Sequence, residues 1–372
     1  YCYYDDDDDD DDDEISEVSP VTQFFDAVAT YLCSDVTTIN NSSNNNNQNH
    51  ITTAATTAQS SPVLVEEMSW NEIANVAWAF ASHGHCRTKQ SERLMATLAN
   101  EAALRLQKEA KKINIGIAPS FLPRDISQLV WSIGTLQSDN FRLSESLASF
   151  VDSIALYWLG TTHKLIDSET KTITNKQNRP FLDWSSADLM QLGISLGHGR
   201  MDHQMLLTAL FQEATYRLTN DNRSSTKESK KYNSRRYFQE WEVSVLLWVQ
   251  ARLYLKDGSY ERFTKTAVKW LRQRSLSAAA SSAFPLQQIG IRDQEKANLA
   301  WSLTVLEAYE DNDPDMIALL RQIFQETAAA AAATTTTTGN TTTASKNSIV
   351  QLEHAHQLWQ ALFLIEYECP QI

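Results

Sequence analysis

A tryptophan that recurs every 53 to 63 residues constrains the fold of this chain more than any other feature. Six segments align around it: NEIANVAWAFASHG, RDISQLVWSIGTLQ, ADLMQLGISLGHGR, WEVSVLLWVQARLY, QEKANLAWSLTVLE and LEHAHQLWQALFLI. We call the aligned positions the anchors of units 1 to 6. They are Trp78, Trp131, Ile194, Trp248, Trp301 and Trp359. A period of this length indicates an array of repeated structural units.

Each unit has the pattern of a helical hairpin. An acid lies six residues before every anchor: Glu72, Asp125, Asp188, Glu242, Glu295 and Glu353. Negative charge is favoured in the first turn of a helix, so the acid predicts where the first helix of the unit, helix A, begins. Apolar residues then follow at helical spacing, as at Ile73, Val76 and Phe80. A second amphipathic segment, helix B, comes after a polar break.

Two such helices cannot cover their own apolar faces, so neighbouring hairpins are expected to stack into a continuous core. Only 10 Gly and 8 Pro are available for tight turns, which also favours helices over a sandwich or barrel. We therefore predict an all-α fold. Residues 63–372 are expected to form a right-handed α-solenoid of about six helical-hairpin repeats, with a disordered low-complexity insertion at 328–345.

Residues 1–62 are predicted to be a disordered, acidic and Asn/Thr-rich segment, because they offer little apolar surface to bury. Asp5 to Asp13 are consecutive aspartates, and the spacing permits a helix only over residues 21–33. Most of the net charge of −14 lies in this segment, which leaves residues 63–372 with a net charge of −1. The charge of the repeat region therefore neither excludes nor demands an RNA partner.

Sequence motifs for catalysis are missing from the chain. It has no phosphate-binding glycine loop, no G-x-S-x-G and no H-E-x-x-H, so we predict no enzyme activity, catalytic residue, cofactor or small-molecule substrate. His83, His85 and Cys86 lie close together but have no further ligand at a suitable spacing, so no metal site is predicted. No apolar run has the length of a membrane span.

A short polar side chain recurs three residues before the anchor. It is present in five units, as Asn75, Gln128, Gln191, Asn298 and His356. Such side chains one turn from the anchor are candidates for reading RNA base edges. The alternative is a hydrogen-bonded ladder between stacked units. The anchors themselves border the apolar stripe, so we predict that they pack in the core as structural posts and do not stack on bases.

Basic residues that are candidates for phosphate contacts form three clusters. The first is Lys108, Lys111 and Lys112. The second lies in the segment 223–236 and includes Lys230, Lys231, Arg235 and Arg236. The third is Lys265, Lys269, Arg272 and Arg274. Solvated surface charge is the alternative interpretation of all three.

The phrases IANVAWAFASHG and DISQLVWSIGTL, each followed by a helix that ends in a pattern like EAALRL, resemble the repeats of octotricopeptide and FAST-kinase-like proteins, many of which carry a RAP domain. The resemblance covers roughly residues 63–372. It implies a non-catalytic RNA-binding protein of mitochondria or plastids that acts in RNA processing, stability or translation, with RNA and other RNA-processing proteins as partners. The alternative is a cytoplasmic protein-binding scaffold of armadillo or HEAT type.

Overall fold

Helices make up all the regular structure in the described part of the chain. The computed structural model has thirteen α-helices and no strand in these residues, which confirms the prediction of an all-α fold. The described residues are 19–33, 63–83, 88–113, 119–136, 141–164, 179–221, 236–256, 258–281, 292–308, 313–337 and 348–368. In chain order the helices are α1 (Pro20–Leu32), α2 (Val63–Glu67), α3 (Trp70–Ser82), α4 (Lys89–Ile113), α5 (Pro123–Leu136), α6 (Phe141–Lys164), α7 (Ser186–His198), α8 (Gln204–Asp221), α9 (Glu240–Arg252), α10 (Ser259–Ser281), α11 (Asp293–Val305), α12 (Pro314–Thr337) and α13 (Ser348–Glu368).

The helices pack in two rows. The anchors lie on α3, α5, α7, α9, α11 and α13, which are the A helices, and α4, α6, α8, α10 and α12 are the B helices. Each A helix packs against the next A helix, and each B helix against the next B helix. Helix α1 packs on α4. One cluster of buried apolar residues extends from Phe25 to Ile365. This packing is consistent with a helical solenoid, while the right-handed solenoid of six units stays a prediction.

The acid six residues before the anchor caps helix A in the first units. In units 1 to 5 this acid is the third residue of its helix. In unit 1 the backbone N–H of Ser69 donates to Glu72 Oε2 at 2.7 Å, and in unit 3 that of Ser185 donates to Asp188 Oδ2 at 2.8 Å. These reciprocal bonds satisfy N–H groups that a helix start leaves without intrahelical partners.

The same prediction is wrong in unit 6. Helix α13 begins at Ser348, so Glu353 is the sixth residue of the helix and does not mark its start. The intervening residues 349–352 contain no proline or glycine that would stop the helix from extending upstream.

Glycines allow close approach between successive A helices. A Cβ atom added at Gly134 of α5 would lie 2.9 Å from the Cα atom of Ser195 in α7. One added at Gly197 of α7 would lie 3.3 Å from the ring of Trp248 in α9. Backbone cannot move aside as a flexible side chain can, so the crossing of α5 and α7 requires glycine at position 134.

Helix B of unit 1 is joined to the segment that leads into its own helix A. Arg105 Nε donates to Glu101 Oε1 at 2.6 Å. The same guanidinium donates to the carbonyl oxygens of Val65, Glu66 and Met68, at the end of the short helix α2. A cation is favourable there because the last carbonyl groups of a helix lack intrahelical partners.

Unit 3 repeats this arrangement with one more arginine. Arg217 Nε donates to Glu213 Oε1 at 2.6 Å, and Arg179 Nε donates to Glu213 Oε2 at 2.8 Å. Arg217 also donates to the carbonyl oxygen of Phe181, ahead of α7. The sequences EAALRL and EATYRL at corresponding positions therefore form the same buried clamp in two units.

The low-complexity segments are only partly described. Residues 328–337, the first part of the insertion expected to be disordered, continue helix α12, which corrects that expectation for these ten residues. The physical reason is the alanine run within 328–333, since alanine has the highest helix propensity. Residues 338–345 lie outside the described residues, as do 1–18 and 34–62. Helix α1 covers Pro20–Leu32, where the spacing permits a helix.

Candidate nucleic-acid interface

The side of each A helix that lies away from the core forms a surface that we call the A face. It contains the anchor, the residues three and seven positions before it, and the residue four positions after it, because these positions share one side of an α-helix. In α3 they are Asn71, Asn75, Trp78 and Ser82, all exposed. Every described side chain at these positions in the six units is exposed or half-buried, except Ile194.

The exposure of Trp78 and Trp359 corrects the prediction that all anchors pack in the core. Trp78 is 50% exposed and Trp359 is 59% exposed, while Trp131, Trp248 and Trp301 are half-buried, and Trp248 and Trp301 pack against the core as predicted. Only Ile194, the one anchor that is not a tryptophan, is buried, at 6% exposure.

Trp248 leans toward the preceding A helix, where its ring lies 5.3 Å from that of His198 and next to Gly197. Within the described residues no A helix precedes α3, so this kind of cover is missing at Trp78. Trp359 is exposed although α11 packs against its helix, so a preceding helix alone does not decide the burial of the anchor. At the other end of the row, the ring of Trp359 stacks on His356 and Phe363 of its own helix.

The polar row three residues before the anchor forms hydrogen bonds between neighbouring A helices. Gln128 Nε2 of α5 donates to Asn75 Oδ1 and to the carbonyl oxygen of Ala74 in α3, both at 3.2 Å. Gln191 Oε1 of α7 lies 3.0 Å from the Ser127 hydroxyl oxygen of α5. In units 1 to 3 these polar residues therefore form a hydrogen-bonded ladder between stacked units, which was the alternative to base reading. Asn298 and the exposed His356 lie on the same row, and base reading by this row stays a prediction.

The charged groups of the A face are cationic. Its four rows contain Arg124 and Arg252 and no carboxylate. Arg252 Nε donates to the carbonyl oxygen of Gly197 at 3.1 Å, and its guanidinium lies 5.5 Å from the centre of the Trp248 ring. Burial and the nearby Arg252 lower the pKa of His198 to about 4, so this imidazole is neutral at pH 7. The A face thus has a small positive charge although the whole chain is acidic.

The last A helix carries a platform of three aromatic rings. The rings of His356 and Trp359 are 6.2 Å apart with an interplanar angle of 25°, and those of Trp359 and Phe363 are 5.5 Å apart at 23°. All three side chains are exposed, and Leu362 and Leu364 beside them are exposed as well. Flat rings stacked in this way at a surface can extend the stack to a further planar group.

Two residues of the third basic cluster line an open groove, and the other two contact neighbouring side chains. An open cavity of about 590 Å³ lies between the end of α8 and α10, and Arg262, Lys265 and Lys269 line it. Arg272 instead donates to Gln322 of α12 at 2.9 Å, and Arg274 lies 3.0 Å from Asp221. Lys265 and Lys269 therefore remain on a surface open to an anion, although Lys265 also pairs with Glu261.

The first basic cluster lies within the described residues, and the second lies only partly within them. Lys108, Lys111 and Lys112 are exposed at the end of α4, and Lys112 Nζ lies 2.7 Å from Glu109. Arg236 is exposed and 3.5 Å from Asp183. Lys230, Lys231 and Arg235 lie outside the described residues. Lys108, Lys111 and Lys112 lie on the B helix α4 and Arg236 lies before α9, so none of these described residues is part of the A face.

Sequence reasoning missed three functional candidates on the A face: Arg124, Arg252 and the exposed Trp241. The signal was present, because Arg124 and Trp241 lie seven residues before an anchor and Arg252 lies four residues after one. Extending the helical period in both directions from the anchor would have found them.

Metal binding and membrane insertion find no structural support in the residues that can be described. His83 packs against Phe25, and His85 and Cys86 lie outside those residues. No group of three or more potential ligands that could hold a metal ion occurs in the described ranges. Among the described helices, none combines the length and the apolar character needed to cross a bilayer.

Comparison with known proteins neither supports nor contradicts the family expected from the repeat phrases. No protein-family model matches this chain, and neither the curated proteins nor the solved structures contain a match to it.

Proposed function

We propose that this protein is a non-catalytic RNA-binding helical-repeat protein, a right-handed α-solenoid of about six hairpins whose ligand follows the A face. The observation that carries the proposal is that each unit presents the same positions on one outer surface, in chain order. Helical-repeat proteins that bind single-stranded RNA use such an arrangement to assign one base to one repeat. Packed helices lie about 8 to 10 Å apart, so successive units would offer regularly spaced contacts.

The chemistry of the A face supports a polyanionic ligand. Arg124 and Arg252 are its only charged side chains, and the indole and amide groups around them can contact bases. The groove lined by Lys265 and Lys269 lies between B helices, away from the A face, and is the competing site for the phosphates. Action on mitochondrial or plastid transcripts, in processing, stability or translation, and cooperation with other RNA-processing proteins are proposed from the family resemblance alone.

The proposal is tested by the binding of the full chain to an unstructured single-stranded RNA, measured by fluorescence anisotropy between about 50 mM and about 200 mM salt. We expect binding that weakens as salt rises. Arg124→Gln on the A face should lower the affinity and reduce the salt slope by about one. Arg262→Gln, in the groove between α8 and α10, is the matched control and should have little effect.

Two outcomes would contradict this assignment. If Arg262→Gln weakens binding and Arg124→Gln does not, the RNA lies in the groove and not on the A face. If the protein binds no RNA at low salt and instead purifies with a protein partner, the armadillo or HEAT-like scaffold is the correct function. The near-neutral repeat region suits that alternative.

A further inference from the structure

The five anchor tryptophans occupy an unusual place for large apolar side chains. They are Trp78, Trp131, Trp248, Trp301 and Trp359, and none of them is fully buried. Trp248 and Trp301 pack one side against the core, whereas Trp78 and Trp359 are at least half exposed. Leaving part of an indole in water forgoes the free energy of burial, and that cost is largest at Trp78 and Trp359. The position itself does not require exposure, because Ile194 is buried at the same place in unit 3.

We infer that these tryptophans stack on unpaired RNA bases, about one base for each unit that carries one. This inference rests on the proposed function and names the part of RNA that the A face recognises. Aromatic side chains that stack on bases tolerate any sequence, because every base has a π-face. Unit 3, with a buried isoleucine as its anchor, would contribute no stacking contact and would leave a gap in the row.

The surroundings of the rings favour bases over the side chains of a protein partner. His356 and Phe363 flank Trp359 on its own helix with ring centres 6.2 Å and 5.5 Å away, offset and not face to face, so the three rings form one wide aromatic surface on which a base can lie. Trp248 has the Arg252 guanidinium beside it, a cation suited to the phosphate that accompanies a stacked base. The four rows of the A face contain no carboxylate that would repel such a phosphate.

The inference also explains why the amide ladder and the tryptophan row coexist. Gln128 and Asn75 bond to each other across units and so hold neighbouring A helices in a fixed register. Fixed register fixes the spacing of the anchors one turn further along each helix. The amides then act as positioning residues for the tryptophans, and base edges need not be read by them.

The test compares RNA that has bases with RNA that lacks them. The full chain is titrated with an unstructured single-stranded RNA and with the same strand carrying abasic sites, which keeps the phosphates. The variants are Trp78→Ala, Trp359→Ala and their combination, with Trp78→Phe as a conservative replacement. Tyr31→Ala, which removes a 62% exposed aromatic ring from α1, is the matched control.

We expect each alanine variant to bind the intact RNA about 5- to 150-fold more weakly, with Trp78→Phe recovering much of the loss. The abasic strand should bind wild type weakly and should hardly distinguish it from the variants. Tyr31→Ala should bind like wild type. Thermal unfolding by circular dichroism should show unchanged folding, because both tryptophans are at least half exposed.

The results separate failure of the inference from failure of the proposed function. If wild type binds the intact and abasic strands equally, or if both alanine variants bind like wild type, RNA is held without stacking and the inference is wrong while the proposed function stands. If wild type binds neither strand at low salt, the proposed function is wrong and the inference fails with it. If Trp78→Ala unfolds the protein, Trp359→Ala and Trp78→Phe still decide the question.

Discussion

The two rows of helices differ in how closely successive helices approach one another. Successive A helices are joined by polar contacts and a glycine crossing: Gln128 bonds to α3, the Ser127 hydroxyl donates to Asp188 at 2.8 Å, and Gly134 meets the backbone of α7. Successive B helices are joined by longer polar side chains, as where Trp270 donates to Asp221 of α8 and Arg272 donates to Gln322 of α12. The Glu–Arg clamps of units 1 and 3 join each B helix to the start of its own hairpin. Polar bonds therefore connect the units in both rows, whereas the described glycine that meets the backbone of the next helix lies in the A row.

This difference has a consequence for function. A surface that presents one contact for each unit needs a constant offset between units, and directional bonds with short reach provide it. Apolar packing alone tolerates small sliding movements, because it has no preferred direction. In units 1 to 3 of the A row, the bonds of Gln128 and Ser127 and the crossing at Gly134 hold this offset beneath the A face.

The largest effect is expected from breaking the clamp of unit 3 by Glu213→Gln. This change removes the carboxylate that accepts from both Arg179 and Arg217, and leaves the buried Arg217 guanidinium without its countercharge. Removing one partner of a buried ion pair costs about 3 to 5 kcal/mol. The free energy of unfolding, from urea titration followed by circular dichroism, should fall by about 3 kcal/mol.

Glu101→Gln in unit 1 is the matched variant for this prediction. Glu101 pairs with Arg105 alone, and that guanidinium keeps three carbonyl partners, so the loss should be smaller. Equal losses in the two variants would show that the second arginine of unit 3 adds nothing. A loss below about 1 kcal/mol for Glu213→Gln would show that the clamp does not stabilise the hairpin.

A pair of glycine substitutions tests whether only the A row depends on close approach. Gly134→Ala places a methyl group against the backbone of α7, and overpacking of this kind costs about 1 to 3 kcal/mol. Gly160→Ala in the B helix α6 finds only ordinary contact with Leu156 at 3.6 Å, and should stabilise the helix by about 0.5 to 1 kcal/mol. Opposite shifts in melting temperature would support the comparison, whereas stabilisation by both would show that the A helices have room to separate.

Local features of this fold could be predicted from sequence, and features set by neighbouring helices could not. The start of helix A follows from an acid that bonds to a backbone N–H three residues away, so the spacing in Glu72 or Asp188 was sufficient. The same spacing did not predict the start of α13, because no residue just before Glu353 stops that helix from extending upstream. Unit periodicity, hairpin order and the all-α class depend on similar short-range patterns.

The exposure of the tryptophans could not be predicted in this way. Trp78 borders an apolar stripe, and the sequence does not show whether the adjacent helix reaches far enough to cover it. Whether Trp78 is covered depends on the offset between α3 and its neighbours, and that offset is set by contacts between residues distant in sequence. For the same reason the sequence left two roles open for Gln128, and only the position of Asn75 across the interface distinguishes a ladder from a free amide.

The smallest effect is expected from removing one hydrogen bond between A helices by Ser127→Ala. Ser127 is fully buried, and its hydroxyl donates to Asp188 Oδ1 of the next unit. Its loss leaves a buried carboxylate oxygen without that donor, which should lower the free energy of unfolding by about 1 to 2 kcal/mol. The matched control is Ser132→Ala in the same helix, because the Ser132 hydroxyl is equally buried but donates to the carbonyl oxygen of Gln128 within α5. The control should lose less stability. If the two variants are equally stable, bonds between units contribute no more than bonds within a helix, and the Ser127 bond does not specify how unit 3 packs on unit 2.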